Sequence, residues 1–444
     1  MLFTKKDLKK LIIPLIIERV LAITVGMADT MMVSVAGDAA ISGVSLVDMV
    51  NNLLNAVFAA LATGGAVVTA QFIGAKKKEN ACESAKQLLY IATLISIGIM
   101  ALCLIFKRPV LTLLFGSIEE DVMQNALIYF MISALSFPFL AIYNSGASLF
   151  RAMGNSKISM QVSLYMNIIN VVGNFILVYG LKLGVVGVAV PSLISRVFAA
   201  VVIFYLLRKP SDSIYIKEMN FKLNRKMIKQ ILYIGIPSGL ESGIFQFGRV
   251  IVVSIIAGFG TAQIAANGVA NSLDGIGCIA GQSIGLAMIT VVGQCVGASD
   301  AEQVKYYTKR LVKMAYKITF CVNTTILILL PWILKLYSVT PEAKELSYIL
   351  VMIHNGMAML LWPSAFTLGD SLRACNDVKF AMCLSIFSMF MFRIFFSVVI
   401  GIWLGLGAIG VWSAMVIDWI FRATCFWLRF KSGAWKKTAG LIGE

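Results

Sequence analysis

Seven carboxylates interrupt stretches of sequence that are otherwise apolar: Glu18, Asp29, Asp48, Glu241, Asp274, Asp370 and Asp418. A charged side chain at the centre of a bilayer costs about 2.5–3.5 kcal/mol on insertion scales. An acid kept there therefore faces protein or water, and the chemistry open to it is binding a proton or a small cation. No nucleophile stands beside a base in a way that would support group transfer. The chain has one histidine, His354, so no metal site or proton relay built from several imidazoles can form within it. We expect no metal and no cofactor, and read His354 as a satisfied polar group. The eight cysteines are spread without close pairing and read as small apolar residues rather than bridges.

The elements that must carry these acids follow from composition. Of 444 residues 59% are hydrophobic and 14% charged, with a mean hydropathy of +0.87, which excludes a soluble globular protein, a disordered chain and a disulfide scaffold. Twelve apolar stretches reach the length of about 20 residues that a helix needs to cross a bilayer. They run at roughly 11–33, 46–73, 87–106, 125–150, 158–179, 186–207, 229–257, 270–294, 311–337, 345–372, 379–403 and 408–430. The fold expected is an all-α membrane protein of twelve transmembrane helices. With the amino terminus in the cytoplasm, 27 of the 38 basic residues fall in inside loops and five outside. This bias obeys the positive-inside rule in every alternate loop and predicts that both termini are cytoplasmic. The net charge of +16 is thus read as topology, with some attraction to anionic lipid, and not as a nucleic-acid surface.

Shifting the chain by 223 residues aligns Pro14 with Pro237, Glu18 with Glu241, Gly37 with Gly260, Gln71 with Gln294 and Gly184 with Gly407. With one residue deleted, Arg151, Ala152 and Lys157 fall on Arg373, Ala374 and Lys379. Identity in register among Pro, Glu, Gln, Gly and Arg marks an internal repeat. Six spans per copy make the repeats parallel, related by an axis along the membrane normal. The expected organisation is an amino-terminal lobe over 1–207, a basic cytoplasmic linker over 208–228 and a carboxyl-terminal lobe over 229–444. Two lobes around a shared cleft predict transport by alternating access, but not the cargo.

Several pieces, in order, are similar to a known family. They are Gly26–Ser34 (GMADTMMVS), Thr69–Ala75 (TAQFIGA) with its repeat partner Val292–Ala298 (VGQCVGA), Phe150–Asn155 (FRAMGN) and Gly184–Ala189 (GVVGVA). Together they resemble the multidrug and toxic compound extrusion (MATE) transporters over about residues 10 to 430. The resemblance implies secondary antiport that exports amphipathic organic cations in exchange for H+ or Na+. It places Asp29 as a cation-linked carboxylate, and carries the family's fifth- and sixth-span partners onto Asn170, Asn174 and Ser192. Asn174 departs from the family, which has an acid there, and its lost charge weakens the case for Na+ in this lobe. The competing reading of Asp29 is a simple hydrogen bond to neighbouring helices.

In the second half Glu241 lies one turn after Pro237, where a kinked start frees carbonyls. It is expected to couple to a cation, or else to pair with Arg249 or Arg393. The sodium-coupled branch of the family places its acids at the positions of Phe245 and near Trp362–Ser364, so its site does not transfer directly. Asp370 is the nearest acid in that region and is carried as a further coupling candidate, although its i,i+3 spacing to Arg373 favours an ion pair. Asp418, Arg422 and Arg393 read as a structural network, and Asp48 and Asp274 as solvated outer ends of spans. Substrate contact is assigned to Met27, Met31, Tyr143, Phe245 and Phe247, which flank these acids or a mid-span proline. Gly235, Gly239 and Gly243 form a ladder for close helix packing. The partners expected are organic cations, H+ or Na+ and membrane lipid, around a monomer in a bacterial plasma membrane. A flippase of lipid-linked precursors is the alternative, and a membrane-embedded enzyme or a channel fits less well.

Overall fold

The computed structural model describes residues 2–33, 37–116, 119–210, 213–217 and 220–441, with the side chains of Met27, Ala28 and Thr30 outside the description. Helices follow all twelve apolar stretches, and no strand occurs among the described residues. Eleven are single helices long and apolar enough to cross a membrane: Lys5–Val33, Asp38–Gly74, Lys78–Ile105, Ser156–Gly180, Val186–Leu207, Arg225–Ala257, Ile279–Gly297, Ala301–Leu336, Pro341–Ala374, Val378–Trp403 and Gly407–Ser432. The fourth span is a pair, Glu120–Leu135 and Phe137–Ala152, bent by 47°. The break falls at Ser136, just before Pro138, whose ring lacks the N–H an unbroken helix would use. The eighth span begins with Thr261–Gly277 and breaks at Cys278.

The repeat extends to backbone torsions. Gly37 and Gly260 each precede a helix with φ of 99° and 108°, a conformation that favours glycine because other residues carry a Cβ. Lys76 and Ser299, 223 residues apart, both have φ of 56°, and so nearly do Gly184 (57°) and Gly407 (55°). Lys182 matches Gly405, and Gly154 matches Asn376, in taking positive φ. These positions end or begin spans, so the same turns recur in both halves at the same places.

Two compact units emerge, Lys5–Gly239 and Leu240–Glu444 with Met1–Thr4. The division therefore falls inside the seventh span, not in the linker expected at 208–228. Close packing explains why the first turns of that span stay with the first unit. Gly64 admits the backbone of Ile231 and Gly235, and Gly235 lies against Leu61. The linker is also tied to the first unit: Gln87 donates to the Lys222 carbonyl at 2.7 Å and accepts from the Asn224 amide at 3.1 Å. The first residues of the chain join the second unit through the capped start of the ninth span. Asp300 accepts from the Gln303 amide at 2.9 Å, and the Gln303 side chain accepts from the Leu2 amide at 2.8 Å.

Candidate functional site

In the first unit the four residues carried over from the resemblance meet. The first span brings Asp29, the fifth brings Asn170 and Asn174 one turn apart on one face, and the sixth brings Ser192. Asn174 donates to the Asp29 carboxylate at 2.8 Å. With its amide nitrogen toward Asp29, Asn170 donates to both carboxylate oxygens at 2.8 and 3.2 Å, and its oxygen accepts from Ser192 at 2.9 Å. The opposite amide orientation would set two oxygens against each other.

The same unit supplies partners that sequence reasoning missed. Asp48 is not a solvated end: Tyr129 donates to it at 3.0 Å and Asn51 at 3.4 Å, and Asn51 also donates to Ser133 at 3.3 Å. Arg196 donates to Ser136 at 2.6 Å and lies within electrostatic reach of Asp29, Asp48 and Tyr129. With both acids ionised, two carboxylates and one guanidinium leave one excess negative charge. The available signal was Arg196 itself, a cation within a span with no acid one turn away.

In the second unit both coupling candidates are paired. Glu241, only 8% exposed, accepts from Arg373 at 2.6 Å, and the same guanidinium donates to Asp370 at 2.5 Å. Glu241 thus pairs with neither Arg249 nor Arg393, and Asp370 forms the i,i+3 pair that its spacing suggested. The first unit holds the repeat's counterpart, Glu18 with Arg151 at 3.5 Å, where Ser159 adds a hydrogen bond at 2.8 Å. One ion pair at equivalent places in both halves reads as a helix clamp, so Glu241 is a paired acid, though with Arg373 rather than Arg249 or Arg393, and Asp370 has the ion pair that its spacing favoured over a coupling role. Their neighbour Gly285 leaves the space that the Asp370 carboxylate fills.

Asp418 is fully buried and accepts from Arg422 at 3.1 Å and from Ser388, with Arg393 at 3.9 Å. At the positions equivalent to Asp29, Asn170, Asn174 and Ser192 the second unit has Val252, Arg393, Ser397 and Met415. The carboxylate–amide cluster of one half is therefore not repeated in the other, where Arg393 lies 3.9 Å from Asp418. Arg393 and Arg249 line a small cavity with Asn267, Asn271, Trp412 and Met415.

The residues assigned to substrate separate. Tyr143 is 6% exposed and lies near Ser163 and the Glu18–Arg151 pair, so it offers substrate no surface here, a correction to its assignment. Phe245 lies under Arg393 and Arg422, 5.4 and 5.6 Å from its ring centre, and edge-on to Phe366. Met31 and Phe247 are exposed, and the side chain of Met27 lies outside the described residues. Asp274 is likewise no free end, since His354 Nε2 is 2.8 Å from its carboxylate and the Cys278 thiol donates to it at 3.1 Å.

The MatE family model matches residues 14–176 and again 237–399, two copies offset by the same 223 residues as the repeat. Relatives include an uncharacterized transporter, YisQ, of Bacillus subtilis, 25% identical over 95% of this chain and 93% of its own length. Another is a probable multidrug resistance protein, NorM, of Thermotoga maritima, 25% identical over 99% of this chain and 95% of its own. Among solved structures, a multidrug resistance MATE transporter in an outward-facing conformation superposes with a TM-score of 0.91 at 23% identity, covering 98% of this chain and 97% of that one. A MOP superfamily transporter from Pyrococcus furiosus gives 0.90 at 23% identity, covering 97% and 96%. With both copies matched, and with the repeat visible in sequence and backbone alike, this chain belongs to the MatE family and is a multi-pass membrane transporter, not an enzyme.

Proposed function

We propose that the chain is a secondary antiporter that exports amphipathic organic cations in exchange for H+ or Na+, with the Asp29 network as its coupling site. The observation that carries this reading is Asp29 held by two amides beside Asp48 and Arg196, with one negative charge left over. A proton or cation that neutralises that charge competes with a cationic substrate for it, and competition for one charge is what couples the two fluxes. Asn170 supplies a local response. Its nitrogen serves the bare carboxylate, whereas its oxygen serves a protonated acid or a bound cation, and turning the amide also changes its bond to Ser192. Glu241 and Asp370 act in this reading as parts of the Arg373 clamp. Met31 and Phe247 keep the role of substrate contacts.

The membrane is the bacterial plasma membrane, the termini are cytoplasmic and the working unit is a monomer. The test is dye efflux from vesicles under an imposed pH or Na+ gradient. Asp29→Asn is expected to abolish gradient-driven efflux. Efflux at the wild-type rate in this variant would refute the assignment. A second reading, a carrier of anionic lipid-linked cargo, draws on Arg249 and Arg393 around the cavity of the second unit and on the Nε of Arg393, buried without a hydrogen-bond partner. The Pyrococcus furiosus transporter is described as having a binding pocket of reverse polarity that suggests a different function. Competition of an anionic polyprenyl lipid, in preference to organic cations, would favour that reading.

A further inference from the structure

The break of the eighth span at Cys278 puts Asp274 and Cys278 one turn apart on one face, and the tenth span delivers His354 against both. A carboxylate oxygen, a thiol sulfur and an imidazole nitrogen lie within 4.8 Å of one another. At the equivalent positions of the first half stand Asn51 and Asn55, so the carboxylate and thiol are not part of the packing shared by the two copies.

The hydrogen bonds around His354 define what its two ring nitrogens face. Asn323 donates to the carbonyls of Gly277 and Thr319 at 3.0 and 2.8 Å, so its oxygen is left to accept from Asn355 at 2.7 Å. That fixes the Asn355 amide with its own oxygen toward His354 Nδ1, at 3.4 Å. On the other side of the ring, Nε2 faces the Asp274 carboxylate at 2.8 Å. A neutral imidazole has one N–H and here meets an acceptor on each side. A doubly protonated ring would meet both acceptors, and a cation bound at Nε2 and Asp274 in place of the second proton meets the same demand. Trp412 and Trp419 pack edge-on against the ring, with centroids 5.3 and 4.8 Å away, which fixes its orientation.

We infer that Asp274, Cys278 and His354 form a binding site for a zinc-type transition-metal ion, with water in the fourth position. Thiolate, imidazole and carboxylate together are the donor set of Zn2+ rather than of Na+ or Mg2+. Tetrahedral ligand atoms stand roughly 3.3–3.8 Å apart at zinc bond lengths of about 2.0–2.3 Å. The carboxylate's separations from Nε2 and from the thiol, 2.8 and 3.1 Å, are hydrogen-bond distances below this range, so Asp274 must withdraw by about half an ångström to open the position. Asp274 is the ligand able to give way, because 24% of its side chain is exposed while His354 and Cys278 are buried, and the same exposure is the route of entry. Binding releases the thiol proton and leaves Nδ1–H donating toward the Asn355 oxygen. Arg249, within electrostatic reach of Asp274, opposes the ion and tunes its affinity downward.

The test is titration of Co2+ into the purified full chain carrying Cys321→Ser and Cys383→Ser, which removes the exposed thiols. The result expected is a thiolate-to-cobalt charge-transfer band that saturates at one ion per chain and is displaced by Zn2+. Cys278→Ser is expected to lose the band, and Asn355→Ala to weaken binding about tenfold or more through the histidine. Absence of the band at saturating Co2+, or its persistence in Cys278→Ser, would overturn the inference and leave the trio a hydrogen-bonded network. Serine matches the thiol closely and size-exclusion elution reports its folding, so the comparison with Cys278→Ser decides even if variants of Asp274 or His354 do not fold.

Discussion

Replacing Asn174 with Asp tests the coupling site at the point where this chain departs from its family. The native amide donates to Asp29 at 2.8 Å, and the substitution puts a second carboxylate in its place, taking the network from one excess negative charge to two. Two such charges about 4 Å apart repel by about 4 kcal/mol at an effective dielectric near 20. Solvent reaching the half-buried Asp29 screens this toward about 2 kcal/mol. A monovalent cation bound between the carboxylates recovers that energy, which corresponds to roughly 30- to 1000-fold tighter binding than in the wild type. In alkaline buffer, where protons are scarce, the variant is expected to gain thermal stability with added Na+ at constant ionic strength, by about 2.7 kcal/mol at a Na+ concentration near 100 times its Kd. The assay is thermal unfolding in detergent across a Na+ series, with wild type in parallel. A folded variant whose unfolding responds to Na+ no more than the wild type's would show that the added carboxylate does not create a tighter ion site with Asp29.

Three further outcomes follow from the geometry. Arg373→Ala leaves Glu241 and Asp370 facing each other without their counter-charge and should destabilise the protein by about 3–5 kcal/mol, whereas Glu241→Gln, which keeps an acceptor for Arg373, should cost about 1–3 kcal/mol; equal stability of both variants in thermal unfolding would contradict the clamp. Gly64→Ala drives a Cβ to within 2.7 Å of the backbone of Ile231 and Gly235 and should cost about 1–3 kcal/mol, while Gly239→Ala, whose nearest neighbour is at 4.0 Å, should unfold like the wild type. Asp300→Ala removes the cap of the ninth span at a cost of about 0.5–2 kcal/mol. Because the Gln303 amide holds the Asp300 carboxyl below its usual range, that stability is present above the ordinary aspartate pKa and fades as pH falls through the lowered folded value, and a variant with the wild type's acid profile would contradict it.

The spans, their order and the repeat were legible in the sequence because they depend on local quantities: the length of an apolar run, the charge of the loop beside it and the glycine a positive φ demands. Gly37 and Gly260 announce the same turn twice, and the 223-residue shift that aligns them also aligns the two family matches. The Asp29 cluster was legible too, since Asn170 and Asn174 share a helix face by spacing alone, although the resemblance was needed to choose that face. The pairs Asp370–Arg373 and Asp418–Arg422 were legible from their spacing, but pairing between spans was decided by packing. Glu241 finds Arg373 at a separation of 132 residues and Tyr129 finds Asp48 across 81, and nothing in the periodicity of either helix specifies a partner on another. His354 illustrates the same limit, for its neighbours Asp274 and Cys278 come from a helix break with no proline to mark it, and only side chains brought together across spans settle where a buried charge goes.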